Sequence, residues 1–220
     1  IVDRHSNFKL ATRGSKHLKW RVFHWFSEAS IRHADLTIVT NKYLADHVRS
    51  AGRPAFVLPD KVPELVARSV VRLPVAHSIV GVCTYDSDEP VLEILQAARA
   101  LGPKFGFWMT GSVERFRAAF GYDVPENVRF TGFLPEQDYI DLLASADMIL
   151  VLTTMEHTLN CGSYEAVALG RPMVLSATET IKDYFDAGAA YVSPSAESIK
   201  AGIENVARCV RTYEESVADL

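Results

Sequence analysis

From Ile79 onward the sequence alternates short, unbroken apolar runs with stretches of helical period, and no other feature constrains its fold as strongly. The runs at 79–83, 105–110, 128–131, 148–152, 172–175 and 190–192 read as strands. The stretches at 89–101, 113–120, 136–145, 162–169, 179–186 and 196–216 read as helices. Strands without polar alternation belong in a parallel sheet covered on both faces. Helical crossovers between parallel strands are right-handed. The expectation is a doubly wound parallel α/β sheet over residues 79–220, with ligands at the carboxyl ends of its strands. Local signals agree with this reading. Pro135 suits a first helical position, and Ser176 with Glu179 fits a capping box. Ile199, Ile203, Val206, Val210 and Tyr213 form the apolar stripe of one long last helix.

Residues 1–60 read as part of a second α/β domain. Ile1-Val2 is a strand stub, 36–40 and 55–58 are strands, and 17–33 and 41–51 are helices. The chain opens on Ile1, within what already reads as strand, as expected of a piece of something longer. Pro59, Pro63 and Pro74 punctuate the boundary region, and 61–78 reads as a linker. In the 17–33 helix, Leu18, Val22, Trp25, Phe26 and Ala29 recur at helical spacing and form the expected apolar stripe. Charge is uneven: Arg4, Lys9, Arg13, Lys16, Lys19, Arg21 and Arg32 face only Asp3 and Glu28 up to His33. The basic, aromatic stretch Lys16–Phe26 has two readings. It is a domain-packing helix, or it lies on an anionic membrane surface.

Several classes are excluded. A net charge of −4 argues against a dedicated nucleic-acid binder. Cys83, Cys161 and Cys209 give neither a disulfide framework nor metal spacing, so a reducing, cytoplasmic setting and no bound metal are expected. No Gly-x-Gly-x-x-Gly, Walker A, Gly-x-Ser-x-Gly or His-Glu-x-x-His motif occurs.

The chemistry concentrates at strand ends, most densely in 153–172. Gly162 and Ser163 open a helix, where free N–H groups and the positive dipole end suit a phosphate. Glu165 lies one turn inside, where its carboxylate can accept two hydroxyls of a sugar ring or merely complement the dipole.

Glu-Ala-Val-Ala-Leu-Gly-Arg-Pro at 165–172 resembles the signature of GT-B glycosyltransferases of the family 4 type. Val128-Arg-Phe-Thr-Gly-Phe-Leu134, with Tyr139 to Asp147 after it, resembles a second segment of that family, and Met109-Thr-Gly-Ser112 its glycine loop. Ala34 to Thr40, Val57-Leu-Pro-Asp60 and Val2-Asp-Arg-His5 resemble pieces of its first domain, in the family's order.

The resemblance implies two Rossmann-like domains, the first partial here, and transfer of a hexosyl unit from a nucleotide-diphosphate sugar. The acceptor would be a glycan or a lipid-linked sugar in polysaccharide assembly, with no further cofactor. The location implied is cytoplasmic, with the inner membrane face as a peripheral site. By the same resemblance Glu165 binds ribose hydroxyls. Asn160, Gly162, Ser163, Gly111 and Ser112 lie near diphosphate and sugar, Phe133 and Leu134 border the base, and His5 touches the transferred sugar. Arg115 and Lys61 are the candidate cations for the diphosphate. The family pairs two Glu eight positions apart. Here His157 stands eight before Glu165, and Glu156 nine before, so either takes that place.

Where the family carries basic residues after the first donor-domain strand, this chain has Tyr85-Asp-Ser-Asp-Glu-Pro90. Those carboxylates read as helix caps rather than as a metal set. Two alternatives remain at this stage: a non-catalytic or split nucleotide-sugar-binding module, and a sugar-nucleotide epimerase of the same architecture.

Overall fold

The computed structural model describes residues 1–4, 9–121 and 123–220. They form two units. The first comprises Ile1–Lys61, with Met155–Leu159 and Thr178–Thr180. The second comprises Val62–Thr154, Asn160–Ala177 and Ile181–Leu220.

In the first unit, β1 (Val2–Arg4), β2 (Thr37–Val39) and β3 (Ala55–Val57) form a parallel sheet in that order. Helix α1 (Leu18–His33) joins β1 to β2, and α2 (Lys42–Ser50) joins β2 to β3. Asn41 starts α2 by accepting the Leu44 N–H on its side-chain oxygen. The core is Ile31, Val39, Leu44, Ala45 and Val48, with Leu10, Ala55 and Val57 against it.

Helix α1 differs from the sequence reading. Leu18, Trp25 and Phe26 are 72%, 66% and 62% exposed, and Val22 is exposed as well. The face turned inward is Trp20, Phe23, His24, Ser27 and Ile31. Two of these five residues are polar, so hydrophobicity alone picks the wrong side. Its polar members are accommodated by local bonds. The Thr12 hydroxyl pairs with the His24 ring, and the Ser30 hydroxyl donates to the Ser27 carbonyl while accepting from Arg4. No helix among the described residues is long and apolar enough to cross a membrane.

The second unit is the doubly wound sheet. Its strands are β4 (His77–Gly81), β5 (Phe105–Thr110), β6 (Val128–Gly132), β7 (Met148–Val151), β8 (Met173–Ser176) and β9 (Ala189–Val192). All pairs are parallel, in the order β6-β5-β4-β7-β8-β9. Ile79 sits opposite both Phe107 and Met148. Thus β4 is central and the strand order reverses beside it, where such sheets hold ligands.

Helices α3 (Val91–Leu101) and α8 (Ala196–Arg208) pack together on one face, with Ile94, Phe107, Met109, Met148, Val174, Ile199 and Ile203 in the core. The remaining helices are α4 (Val113–Phe120), α5 (Glu136–Ser145), α6 (Cys161–Ala168), α7 (Glu179–Tyr184) and α9 (Val210–Val217).

Three local expectations are corrected. Strand β4 is shifted two residues earlier than the apolar run, because Val82 and Cys83 turn out of the strand into a loop. The last helix breaks at Cys209 into α8 and α9. The break lets Val217 pack on Gly188 and the Ser216 hydroxyl accept the Gly188 N–H. Ser176 caps nothing: its hydroxyl accepts the Thr153 N–H across the sheet.

Asp147 joins β7 to β4. One carboxylate oxygen accepts the Ser78 N–H at 2.7 Å and the Ser78 hydroxyl at 2.9 Å. Hydrogen bonds to a charged acceptor are worth about 1.5–3 kcal/mol each. Replacing Asp147 with Ala is therefore expected to lower unfolding stability by about 2–4 kcal/mol. Asp147→Asn, which keeps an acceptor oxygen, loses less. Urea denaturation midpoints at unchanged slope measure both.

Candidate functional site

The loops after β4, β5, β6 and β7 carry the chemistry-bearing residues of the second unit. Their arrangement rests on two close approaches to the end of β4. Gly111 follows β5 with φ +90, and a Cβ there would lie 2.2 Å from the Cys83 carbonyl oxygen. Gly162 lies in the first turn of α6, where a Cβ would meet Val82 and Val151 at 3.0 and 3.1 Å. Val82-Cys83 is thus flanked by one glycine on each side. The β5–β6 register also shifts between Met109 and Thr110, which re-aims the chain entering Gly111.

The acidic loop after β4 is internally bonded. The Glu89 carboxylate accepts the Thr84 N–H, the Thr84 hydroxyl and the Tyr85 N–H at 2.7–2.8 Å. This holds Tyr85 at φ +60, a left-handed backbone rare outside glycine. Asp88 accepts the Thr153 hydroxyl at 2.6 Å, and its carbonyl accepts the Thr154 N–H at 2.7 Å. Asp86 accepts the Ser87 N–H and stands 3.9 Å from Arg115. Expected as helix caps, these carboxylates instead clasp the loop to itself and to the β7 end; Pro90 takes the cap position of α3. No group of three metal-ligating side chains converges among the described residues.

The expected donor-side residues fall as follows. Ser112 caps α4, accepting the Arg115 N–H at 3.1 Å and donating to Glu114 at 3.0 Å. Arg115 is exposed on α4. Phe133 is 84% exposed and Leu134 half-buried in the loop after Gly132, which has φ +68. Asn160 is the cap residue of α6, and its carbonyl accepts the Ser163 N–H. The Asn160 Oδ1 and Ser163 Oγ atoms are buried without a hydrogen-bond partner among the described residues. Such atoms are costly to leave unpaired, and a bound group with donors relieves them.

Glu165 is half-buried on α6 and accepts the Tyr139 hydroxyl at 2.5 Å. Burial, then the bond to Glu165, pushes the Tyr139 phenol far above its ordinary value, so it remains a donor. Tyr139 was visible in the sequence only as a motif position. Nothing in its spacing marks it as a partner for a carboxylate 26 residues away.

The remaining candidates belong to the first unit. His157 has φ +61 and stacks on Tyr43 with ring centroids 5.3 Å apart. Its carbonyl accepts from the Asn41 amide at 3.2 Å, and its ring nitrogen lies 3.4 Å from the Thr180 hydroxyl. Glu156, beside it, is exposed, as is Lys61. His5 lies outside the described residues. The structure therefore gathers Asn160, Gly162, Ser163 and Glu165 on one helix and Gly111, Ser112 and Arg115 on one loop and helix start. It places Glu156, His157 and Lys61 in the other unit.

A family model described as glycosyl transferase-like matches residues 90–219. No curated protein matches the sequence. Among solved structures, sucrose-phosphate synthase from Thermosynechococcus elongatus superposes with a TM-score of 0.79 at 17% identity. It covers 99% of this chain, which spans 61% of that protein. Anabaena HepE in complex with UDP and glucose gives 0.72 at 12% identity, covering 99% of this chain and 65% of its own. A UDP-forming trehalose-phosphate synthase from Burkholderia xenovorans gives 0.67 at 14% identity, covering 90% and 58%. At such identities the likeness is one of fold, and the fold is GT-B.

The clasp around Glu89 yields a prediction. Replacing Glu89 with Gln puts an amide N–H against N–H and O–H donors. Stability is expected to fall by about 1–3 kcal/mol, and amide exchange at Thr84 and Tyr85 to accelerate with it. Hydrogen exchange resolved by residue reads both.

Proposed function

The chain belongs to the glycosyl transferase-like family, and from that premise we propose that it moves a hexosyl unit from a nucleotide-diphosphate sugar to a glycan or lipid-linked acceptor. Residues 79–220 bind the donor, 61–78 link the two parts, and 1–60 form the acceptor side. One observation carries the donor assignment. The first turns of α6 put Glu165, Ser163 and Gly162 on one helix start beside the strand-order reversal, where Gly162 lets the helix pack directly on Val82 and Val151.

The roles follow from chemistry. Glu165 accepts ribose hydroxyls. The N–H groups at the start of α6 and the loop at Gly111 receive the diphosphate. Phe133 and Leu134 border the base. Departure of the diphosphate needs developing negative charge to be met by fixed donors already in place. Arg115 adds a cation at the rim, and Lys61 is the second candidate. His5 touches the transferred sugar, and either Glu156 or His157 takes the place of the family's first Glu. Most of the rate enhancement comes from holding donor and acceptor in line.

UDP is the first nucleotide to test, because the solved HepE complex holds UDP and glucose. Calorimetric titration with UDP, GDP, ADP and their hexose conjugates should give saturable binding of one nucleotide. Glu165→Ala should weaken it by about 1–3 kcal/mol, or roughly 5- to 150-fold in Kd. Unchanged affinity in that variant refutes the ribose assignment.

A lipid-linked acceptor and a peripheral membrane site are supported by α1, whose exposed Leu18, Val22, Trp25 and Phe26 lie among Lys16, Lys19 and Arg21. Apolar residues bordered by cations suit an anionic bilayer. Vesicles containing phosphatidylglycerol should then sediment the protein where pure phosphatidylcholine vesicles do not. The double substitution Trp25→Ala with Phe26→Ala should abolish the difference. Equal recovery with both vesicle types sinks the membrane reading.

A further inference from the structure

We propose that Tyr139 is a positioning residue that fixes the Glu165 carboxylate and so sets selectivity for ribose over 2′-deoxyribose. The proposal rests on the reading of Glu165 as the ribose contact. A glutamate carboxylate on a helix rotates broadly about its last torsion. An unrestrained one loses that freedom on binding a diol. Here the Tyr139 hydroxyl donates to Oε2 of Glu165 at 2.5 Å, the short distance of a hydrogen bond to a charged acceptor. A phenol has one proton to give. The bond therefore fixes one oxygen and leaves Oε1 to accept from a ligand.

The tether is itself anchored. Tyr139 lies in the first turns of α5, and its N–H donates to the Pro135 carbonyl at 3.0 Å. Pro135 ends the loop that carries Phe133 and Leu134, the residues proposed to border the base. One hydrogen bond thus connects the base loop to the ribose carboxylate. A base that orders the 132–135 loop also steadies Tyr139 and, through it, Glu165. A carboxylate so held discriminates against a ligand that lacks a hydroxyl, because its oxygen is left without a partner.

The test uses UDP, GDP and ADP, each beside its 2′-deoxy counterpart, titrated into the wild type, Tyr139→Phe, Glu165→Ala and the double variant. Tyr139→Phe keeps the ring and removes only the hydroxyl. The expected result is about tenfold weaker binding of the preferred ribonucleotide, with the ribo-to-deoxyribo ratio falling toward that of Glu165→Ala. The double variant should bind as Glu165→Ala alone does, because a residue acting through Glu165 has nothing left to act on.

A purely structural Tyr139 lowers the melting temperature and leaves the ratio where it was. A preserved ratio in Tyr139→Phe, with the ratio lost in Glu165→Ala, overturns the positioning role alone. A preserved ratio in Glu165→Ala, or no nucleotide bound by the wild type, overturns the ribose reading and this proposal with it.

Discussion

The end of β4 leaves no room for a side chain at the nearest point of the loop and helix beside it, and much of the site's geometry follows from that. The strand is hydrogen-bonded to β5 on one side and β7 on the other, so the chain leaving it must pass between two neighbours. Val82 and Cys83 fill that passage. Gly111 and Gly162 are the positions where the neighbouring loop and helix come closest, and each lacks the Cβ that would collide there. At Gly111 the obstruction is a backbone carbonyl, which cannot swing aside as a side chain can. The same closeness brings the start of α6 to the sheet's switch point. Packing alone therefore requires glycine at position 111 and favours it at 162.

The acidic loop after β4 is part of the same packing. Its three carboxylates are Asp86, Asp88 and Glu89. Those of Asp88 and Glu89 are not free acceptors. Glu89 is taken up by three donors of its own loop, and Asp88 by Thr153. Asp86 is the outermost and stands opposite Arg115. Both oxygens of Glu89 and one of Asp88 thus help to fix the loop that Gly111 packs against.

The sheet was legible in the sequence because buried parallel strands have a simple signature: continuous apolar runs between glycine- and proline-marked turns. Strand identity and order of elements came through, while ends moved by one or two residues, as at β4 and β8. What failed was whatever depended on a polar group's partner. Helix α1 turns His24 and Ser27 inward, where Thr12, Ser30 and Arg4 bond with them or their neighbours, and no hydrophobic periodicity encodes that. Ser176 matched a cap pattern locally, yet its hydroxyl serves Thr153. Glu165 could be singled out from its helix position, but Tyr139 could not. Their meeting depends on how α5 and α6 are laid on the sheet, and no local spacing expresses that.

His157 shows the same limit from the other side. A non-glycine residue at φ +61 costs about 1–3 kcal/mol, and it persists because its surroundings hold it there. Three contacts do so: the Tyr43 ring beneath the imidazole, the Asn41 amide on the carbonyl, and Thr180 at the ring nitrogen. Asn41 also caps α2 with its other side-chain atom, so the start of a helix and the backbone at His157 are fixed by one residue. The left-handed turn belongs to His157, and its imidazole is engaged by the stack. Glu156, next to it, is exposed. What separates the residues eight and nine positions before Glu165 is thus the surroundings of each, which a count of positions does not express.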